Sequence, residues 1–110
     1  MKIEVSDVGG VCVVALGGRL DTTNYNEVEV KMNLLFSEQN TNIIFDLKEL
    51  DYISSSGLRV MLMTLKRVGA AGGKLVLCNM QEGIREIFEI SGFTTIFTIA
   101  VDRESALKHF

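Results

Sequence analysis

Two short stretches, "NIIFDL" (residues 42–47) and "KLVLCN" (residues 74–79), carry apolar side chains at consecutive rather than alternate positions. A strand wetted on one face alternates apolar and polar residues. A strand covered on both faces does not, and such runs belong to parallel sheets flanked by helices. Between the two runs, Leu58, Met61, Leu62, Leu65 and Val68 recur at spacings of three and four, the period of a helix. Strand, helix, strand in this order implies parallel pairing through a right-handed crossover.

The rest of the chain extends this pattern. Residues 2–8, "KIEVSDV", alternate and predict a half-buried strand with Ile3, Val5 and Val8 on one side. Gly9-Gly10 is a hairpin signal, and "VCVVALGG" (11–18) is the returning strand. "DTTN" (21–24) is a cluster of capping residues before a helix marked by Tyr25, Val28, Met32, Leu35 and Phe36 and running to about Ser37. "SEQNTN" (37–42) is a polar loop, followed by a strand over 43–47 and a helix from about Ser56 to Gly69. Glycines in "VGAAGG" stop that helix. After the strand over 74–78 comes "QEGIREIFEISG" (81–92), a helix with Ile84, Ile87 and Phe88 on one stripe and Gly92 as its stop. "TTIFTIA" (94–100) predicts a last strand, with 96–99 pairing in parallel. "DRESALKHF" (102–110) predicts a terminal helix capped by Asp102. The expected architecture is α/β, ordered β-β-α-β-α-β-α-β-α. It is a mixed, mainly parallel sheet of about five strands with about four helices mainly on one face. The 110 residues amount to one domain, 1–110.

Composition removes several function classes. Eleven Lys and Arg stand against 14 Asp and Glu, and no basic run exceeds Lys66-Arg67, so the electrostatic footprint of a nucleic-acid binder is missing. The longest apolar run, Val11 to Leu16, is too short to span a bilayer, and Met1-Lys2 leads into alternation rather than a signal-peptide core. Cys12 and Cys78 each sit in an apolar run, with no C-x-x-C and only one histidine, so a metal site is not expected and a reduced, buried, cytoplasmic setting is. Neither glycine-rich stretch matches a nucleotide-binding loop, so no cofactor is implied. The acids of "DLKELD" (46–51) are ordinary in a strand-exit loop. A Ser-His pair would need His109, which stands one residue from the end, so no catalytic residue is expected.

The run Ser54, Ser55 and Ser56 is distinguished by its place, at the carboxyl end of a strand and the start of a helix. In open α/β sheets that edge is where partners and ligands bind. Free backbone N–H groups and the positive end of the helix dipole point there, so a phosphate on one of these serines is electrostatically well placed. On physical grounds alone, one serine acting as cap with the others solvating a loop is the favoured account of the run.

"GGRLD" (17–21), "IIFDLKELDYISSSGLRVML" (43–62), "GGKLVLCNM" (72–80) and "IREIFEISGF" (84–93) together resemble a STAS domain, most nearly the bacterial anti-sigma-factor antagonists. The resemblance runs over essentially the whole chain. It implies a protein-binding switch rather than an enzyme. In that family the unphosphorylated antagonist binds an anti-sigma factor, which is also an ATP-dependent serine kinase, and thereby frees a sigma factor. Phosphorylation of the antagonist ends the complex and a phosphatase resets it. The family pattern Asp-Ser-Ser/Thr/Ala-Gly-Leu, aligned on Gly57-Leu58, implies Ser55 as the phosphorylated residue, Ser56 as the following small position, and Gly57 as the place where the backbone turns closely into the helix. Ser54 stands where the family usually has Asp. Asp21 matches the acid of the family's Gly-x-Leu-Asp, which lies beside the serine loop and takes part in partner contact. The alternative is a STAS scaffold or transporter-associated subunit without a phosphorylation cycle.

Periodicity adds a binding face. If Leu58, Met61, Leu62, Leu65 and Val68 face the core, the opposite side carries Arg59, Val60, Met63, Lys66 and Arg67. Val60 and Met63 then form a small apolar centre within a basic rim, next to Ser55. The expected contact set is Asp21, Ser54, Ser56, Gly57, Arg59, Val60 and Met63.

Overall fold

A computed structural model describes residues 1–110. Strands β1 (Lys2–Val8), β2 (Val11–Leu20), β3 (Asn42–Ile53), β4 (Lys74–Cys78) and β5 (Thr98–Ala100) form one sheet in the order β1-β2-β3-β4-β5. The β1–β2 pair is antiparallel and all other pairs are parallel. Helices α1 (Tyr25–Ser37), α2 (Ser55–Ala70), α3 (Glu82–Ile90) and α4 (Arg103–Leu107) connect or follow the strands. The element order matches the expectation from sequence, with one added 3-10 turn at Phe93–Thr95.

The consecutive apolar runs are explained by two cores. Val14, Leu16, Ile43, Phe45, Leu47, Leu75 and Leu77 point to one face and pack with α1, α2 and α3. Val11, Val13, Ile44, Val76, Cys78 and Ala100 point to the other and meet Ala106 of α4. Three helices on one face and one short helix on the other is the distribution expected. Gly9 and Gly10 both have positive φ, +59° and +87°, the backbone of a two-residue hairpin turn whose twist matches its strands.

Four local expectations are corrected. β1 is not half-buried: only Ile3 is partly covered, and Val5 and Val8 stay exposed because the strand is an edge that pairs with β2 alone. "DTTN" does not cap α1. Asn24 instead closes the loop, donating to the Arg19 carbonyl at 2.7 Å and accepting from the Asp21 amide at 2.9 Å. β5 starts at Thr98 because the 3-10 turn packs Phe93 against Phe88 and Phe97, with ring centroids 6.1 and 5.7 Å away. β3 runs to Ile53 rather than stopping at 47. Its register with β2 slips twice, Ala15↔Asp46 to Gly17↔Glu49 and Gly18↔Leu50 to Arg19↔Tyr52, one extra β3 residue each time. These bulges break the two-residue period and bring Leu47, Leu50 and Ile53, three apart, to the core.

Candidate functional site: the serine junction of β3 and α2

β3 delivers the serines directly to the helix start. Leu20 pairs with Ile53, and the Ser54 amide donates to the Leu20 carbonyl at 2.9 Å, so the Asp21 loop and the serine loop leave the sheet side by side. Ser54 has extended backbone, and its Oγ accepts from the Gly57 amide at 3.3 Å. It is the N-cap of α2, so the cap falls to Ser54 rather than Ser56. Ser and Asp are both strong N-caps, which gives the serine in place of the family's Asp a physical equivalence.

Ser55 is the first residue of α2 and is exposed. Its hydroxyl makes no hydrogen bond, whereas Ser54 is half-buried and committed to the cap. Ser56 is half-buried. The first turn of α2 contains no acidic residue, so no carboxylate there offsets the positive end of the helix.

Gly57 is buried, and its role is space rather than a turn. A methyl group on it would lie 2.7 Å from Ile53 Cγ1 and 2.8 Å from Leu20 Cγ. Only a residue without a side chain lets α2 sit this close to the ends of β2 and β3. Gly57 therefore has a packing role, and its burial sets it apart from the exposed members of the expected contact set.

Asp21 is partly buried beside the junction. Hydrogen bonds from Thr23 Oγ1 and the Thr23 amide, at 2.6 and 2.9 Å, hold its carboxyl below the usual carboxylate range, and Arg19 at 3.7 Å adds to this. Arg19 also lies over the Tyr52 ring, 4.2 Å from its centroid. Arg19 and Tyr52 are cross-strand partners immediately before the two loops. Sequence reasoning missed this pair, because the bulges conceal their alignment.

The exposed side of α2 differs from the expected one at a decisive position. Met63 is 41% exposed and Arg59 is exposed, as expected, but Val60 is 2% exposed. Val60, Thr64 and Arg67 share one row of the helix at i, i+4 and i+7. Arg67 at the end of that row donates to Asn33 Oδ1 at 2.7 Å and stacks 4.4 Å from the Phe36 ring centroid, so the row faces α1. Helix α1 covers Val60, and the apolar centre reduces to Met63. Leu62 and Leu65, expected in the core, are only half-buried, so the packed side of α2 is rotated toward α1. Thr64 disguised this rotation: its hydroxyl donates to the Val60 carbonyl at 2.9 Å, which lets a polar residue be buried.

The two main hollows lie elsewhere, and neither is lined by the serines. The larger, about 660 Å³, is on the α4 face. Among its charged walls, Lys2 pairs with Glu4 and Glu49, and Arg103 with Asp46. His109 borders the smaller one beside Lys74, at the amino end of β4 and so at the opposite edge of the sheet from Ser55. No His/Cys/Asp/Glu group could hold a metal ion, and no helix is long and apolar enough to cross a membrane. Both cysteines are buried and free, and burial, with the Asp46 charge adding, pushes the Cys78 thiol up to about 12, far from reactive.

An exposed hydroxyl at a helix start, an adjacent acidic loop and a partly apolar helix face suit recognition by another protein. The family model for the STAS domain matches residues 2–106. BtrV of Bordetella bronchiseptica, named as an anti-sigma factor antagonist, is 37% identical over 110 residues, covering 100% of this chain and 95% of its own. The anti-sigma-B factor antagonist of Bacillus subtilis is 30% identical over 108 residues, covering 98% of each. Among solved structures, an anti-sigma factor antagonist from Mycobacterium paratuberculosis superposes with a TM-score of 0.89 at 20% identity, covering 98% of this chain and 92% of that one. The phosphorylated form of the Bacillus cell fate determinant SpoIIAA gives 0.75 at 24% identity, with 98% of each chain covered. At such identities these two bear on the fold alone. Sequence and fold agree on one conclusion: this chain belongs to the STAS domain family, among the anti-sigma-factor antagonists, which are regulators and not enzymes.

Proposed function

We propose that this chain is the switch component of a partner-switching pair in the cytoplasm, acting as one domain over residues 1–110. Unphosphorylated, it binds an anti-sigma factor and so releases a sigma factor. The same anti-sigma factor acts as an ATP-dependent kinase on Ser55. In that step a bond forms between Ser55 Oγ and the γ-phosphorus of ATP. The bond to the ADP oxygen breaks, and the hydroxyl proton passes to a base of the kinase. A phosphatase reverses the state by hydrolysis. The contact surface is Asp21, Ser54, Ser55, Ser56, Arg59 and Met63.

The observation that carries this reading is the division of labour among the serines: Ser54 holds the cap, and Ser55 keeps an exposed, unengaged hydroxyl one residue later. A phosphate there adds about −1.5 to −2 charges at the edge of the contact surface. Like charges on the partner are then repelled without any need to unfold the domain.

The test is a pull-down with the full chain from its native cell, followed by incubation of the captured partner with ATP and mass spectrometry of residues 54–56. One phosphate on Ser55 and none on Ser55→Ala is the expected result. Full modification of Ser55→Ala would move the switch to Ser54 or Ser56. Capture of a transporter assembly without phosphorylation would favour the scaffold role.

A further inference from the structure

We propose that Arg59 is the internal receiver of a phosphate on Ser55, so that phosphorylation both adds negative charge and withdraws the Arg59 cation from the contact surface. This rests on the switch reading only for the identity of the phosphorylated residue.

Ser55 and Arg59 are one helical turn apart on α2, both exposed. Residues at i and i+4 are surface neighbours, with Cβ atoms about 5–6 Å apart, and the favourable order has the anion toward the amino end. A phosphate offers three acceptor oxygens, and a guanidinium can meet two of them with parallel N–H groups. Arg59 is available for this: it takes part in none of the four ion pairs and in no side-chain hydrogen bond. Of the other arginines, three are occupied, and Arg85, which is unpaired, stands on α3 rather than α2. Arg19 lies on Tyr52 and beside Asp21, Arg67 is held by Asn33 and Phe36, and Arg103 by Asp46. Lys66 is on the same helix but 11 residues from Ser55, about 16 Å along the axis. Asp21 and Asp51 flank the junction, and Asp21 is already engaged by Thr23 and Arg19.

The consequence is a change of sign at one edge of α2. Before phosphorylation, a neutral hydroxyl and a free cation stand one turn apart. Afterwards, a phosphate holds that cation and leaves a net negative pair. An acidic partner patch steered to Arg59 loses its counter-charge in the same event that places a phosphate before it.

The experiment uses the full chain with phosphoserine incorporated at position 55 during synthesis and follows the phosphorus NMR shift against pH at low salt. Three proteins are compared: the unsubstituted chain, R59Q and K66Q, the last removing the same charge three turns away. Circular dichroism first verifies that all three are folded. The second phosphate pKa is expected to rise in R59Q by about 0.3–0.7 unit relative to the unsubstituted chain. In K66Q it is expected to move by no more than about 0.1 unit. Equal shifts in R59Q and K66Q, or none in either, would overturn the pairing. Because the phosphate is built in, no kinase is involved. A failed kinase assay leaves this result standing, and a failed titration leaves the switch standing.

Discussion

Ser54 Oγ accepts the amide of Gly57 at 3.3 Å, closing the first turn of α2 from its amino end. That bond gives the first of three serines a task that leaves the second free. Replacing Ser54 by Ala should destabilise the fold by about 1 kcal/mol, the usual cost of a lost cap. Ser54→Asp, restoring the residue the family commonly carries, should stay within about 0.5 kcal/mol of the original because a carboxylate caps equally well. Urea unfolding of the three proteins checks both; equal stabilities throughout would mean that the cap is idle.

Ser55→Asp should leave the fold intact, since a negative charge at an exposed helix start is neutral to favourable by up to about 1 kcal/mol. Far-ultraviolet circular dichroism and a melting curve read this. A loss of helix signal would show that position 55 cannot carry an anion.

Gly57→Ala should destabilise by about 1–3 kcal/mol, the range for forced overpacking. The added methyl would approach Ile53 and Leu20 side chains to 2.7 and 2.8 Å, and both belong to the core. Chemical denaturation measures it, and a neutral result would mean that α2 can shift away from the sheet.

Met63 and Val60 should respond oppositely to the same substitution. Met63→Glu should weaken partner binding by about 1–2 kcal/mol. Its effect on stability should stay within about 0.5 kcal/mol, as for a surface change. Val60→Glu places a charge in a site 2% exposed and should cost more than about 3 kcal/mol of stability. Calorimetric titration against the captured partner and thermal melts separate the two. A large melting shift for Met63→Glu would place it in the core.

Asp46 should make stability depend on acid pH. Burial pushes its carboxyl upward, but hydrogen bonds from Arg103 Nε at 2.7 Å, Asn79 Nδ2 at 3.0 Å and the Lys48 amide, with the Arg103 charge, outweigh this and hold it below its usual value. A carboxyl lowered by folding contributes stability that is present above its unfolded pKa, about 3.9, and is lost as pH falls through the folded value. Asp46→Asn should therefore cost about 1–3 kcal/mol at pH 7, where charge-assisted bonds are broken. The gap between the two proteins should narrow below about pH 4. Urea melts at pH 7 and pH 3 test this; a gap independent of pH would assign the loss to packing alone.

The junction itself was legible because its signals are local. Three serines after an apolar run announce a strand end and a helix start, and which of them caps needed only the Gly57 amide to decide. The Arg19–Tyr52 stack was not legible. Two bulges in β3 shift the register, and a bulge leaves no mark in hydrophobic alternation except an early apparent end to the strand. Asp46 was equally hidden. In sequence it is one of several acids after an apolar run, and its partners Asn79 and Arg103 are 33 and 57 residues away.

The sequence by itself determined the order of elements, the parallel sheet, the opening hairpin and the position of Ser55 at a helix start, because each depends on side-chain period and capping chemistry within a few residues. Only the tertiary structure decided which side of α2 is left exposed. Helical period states how wide an apolar stripe is, but not which neighbour covers its margin. Here α1 lies against the row of Val60, Thr64 and Arg67, so an apolar residue expected outside is buried and Met63 alone remains exposed at the centre of that surface.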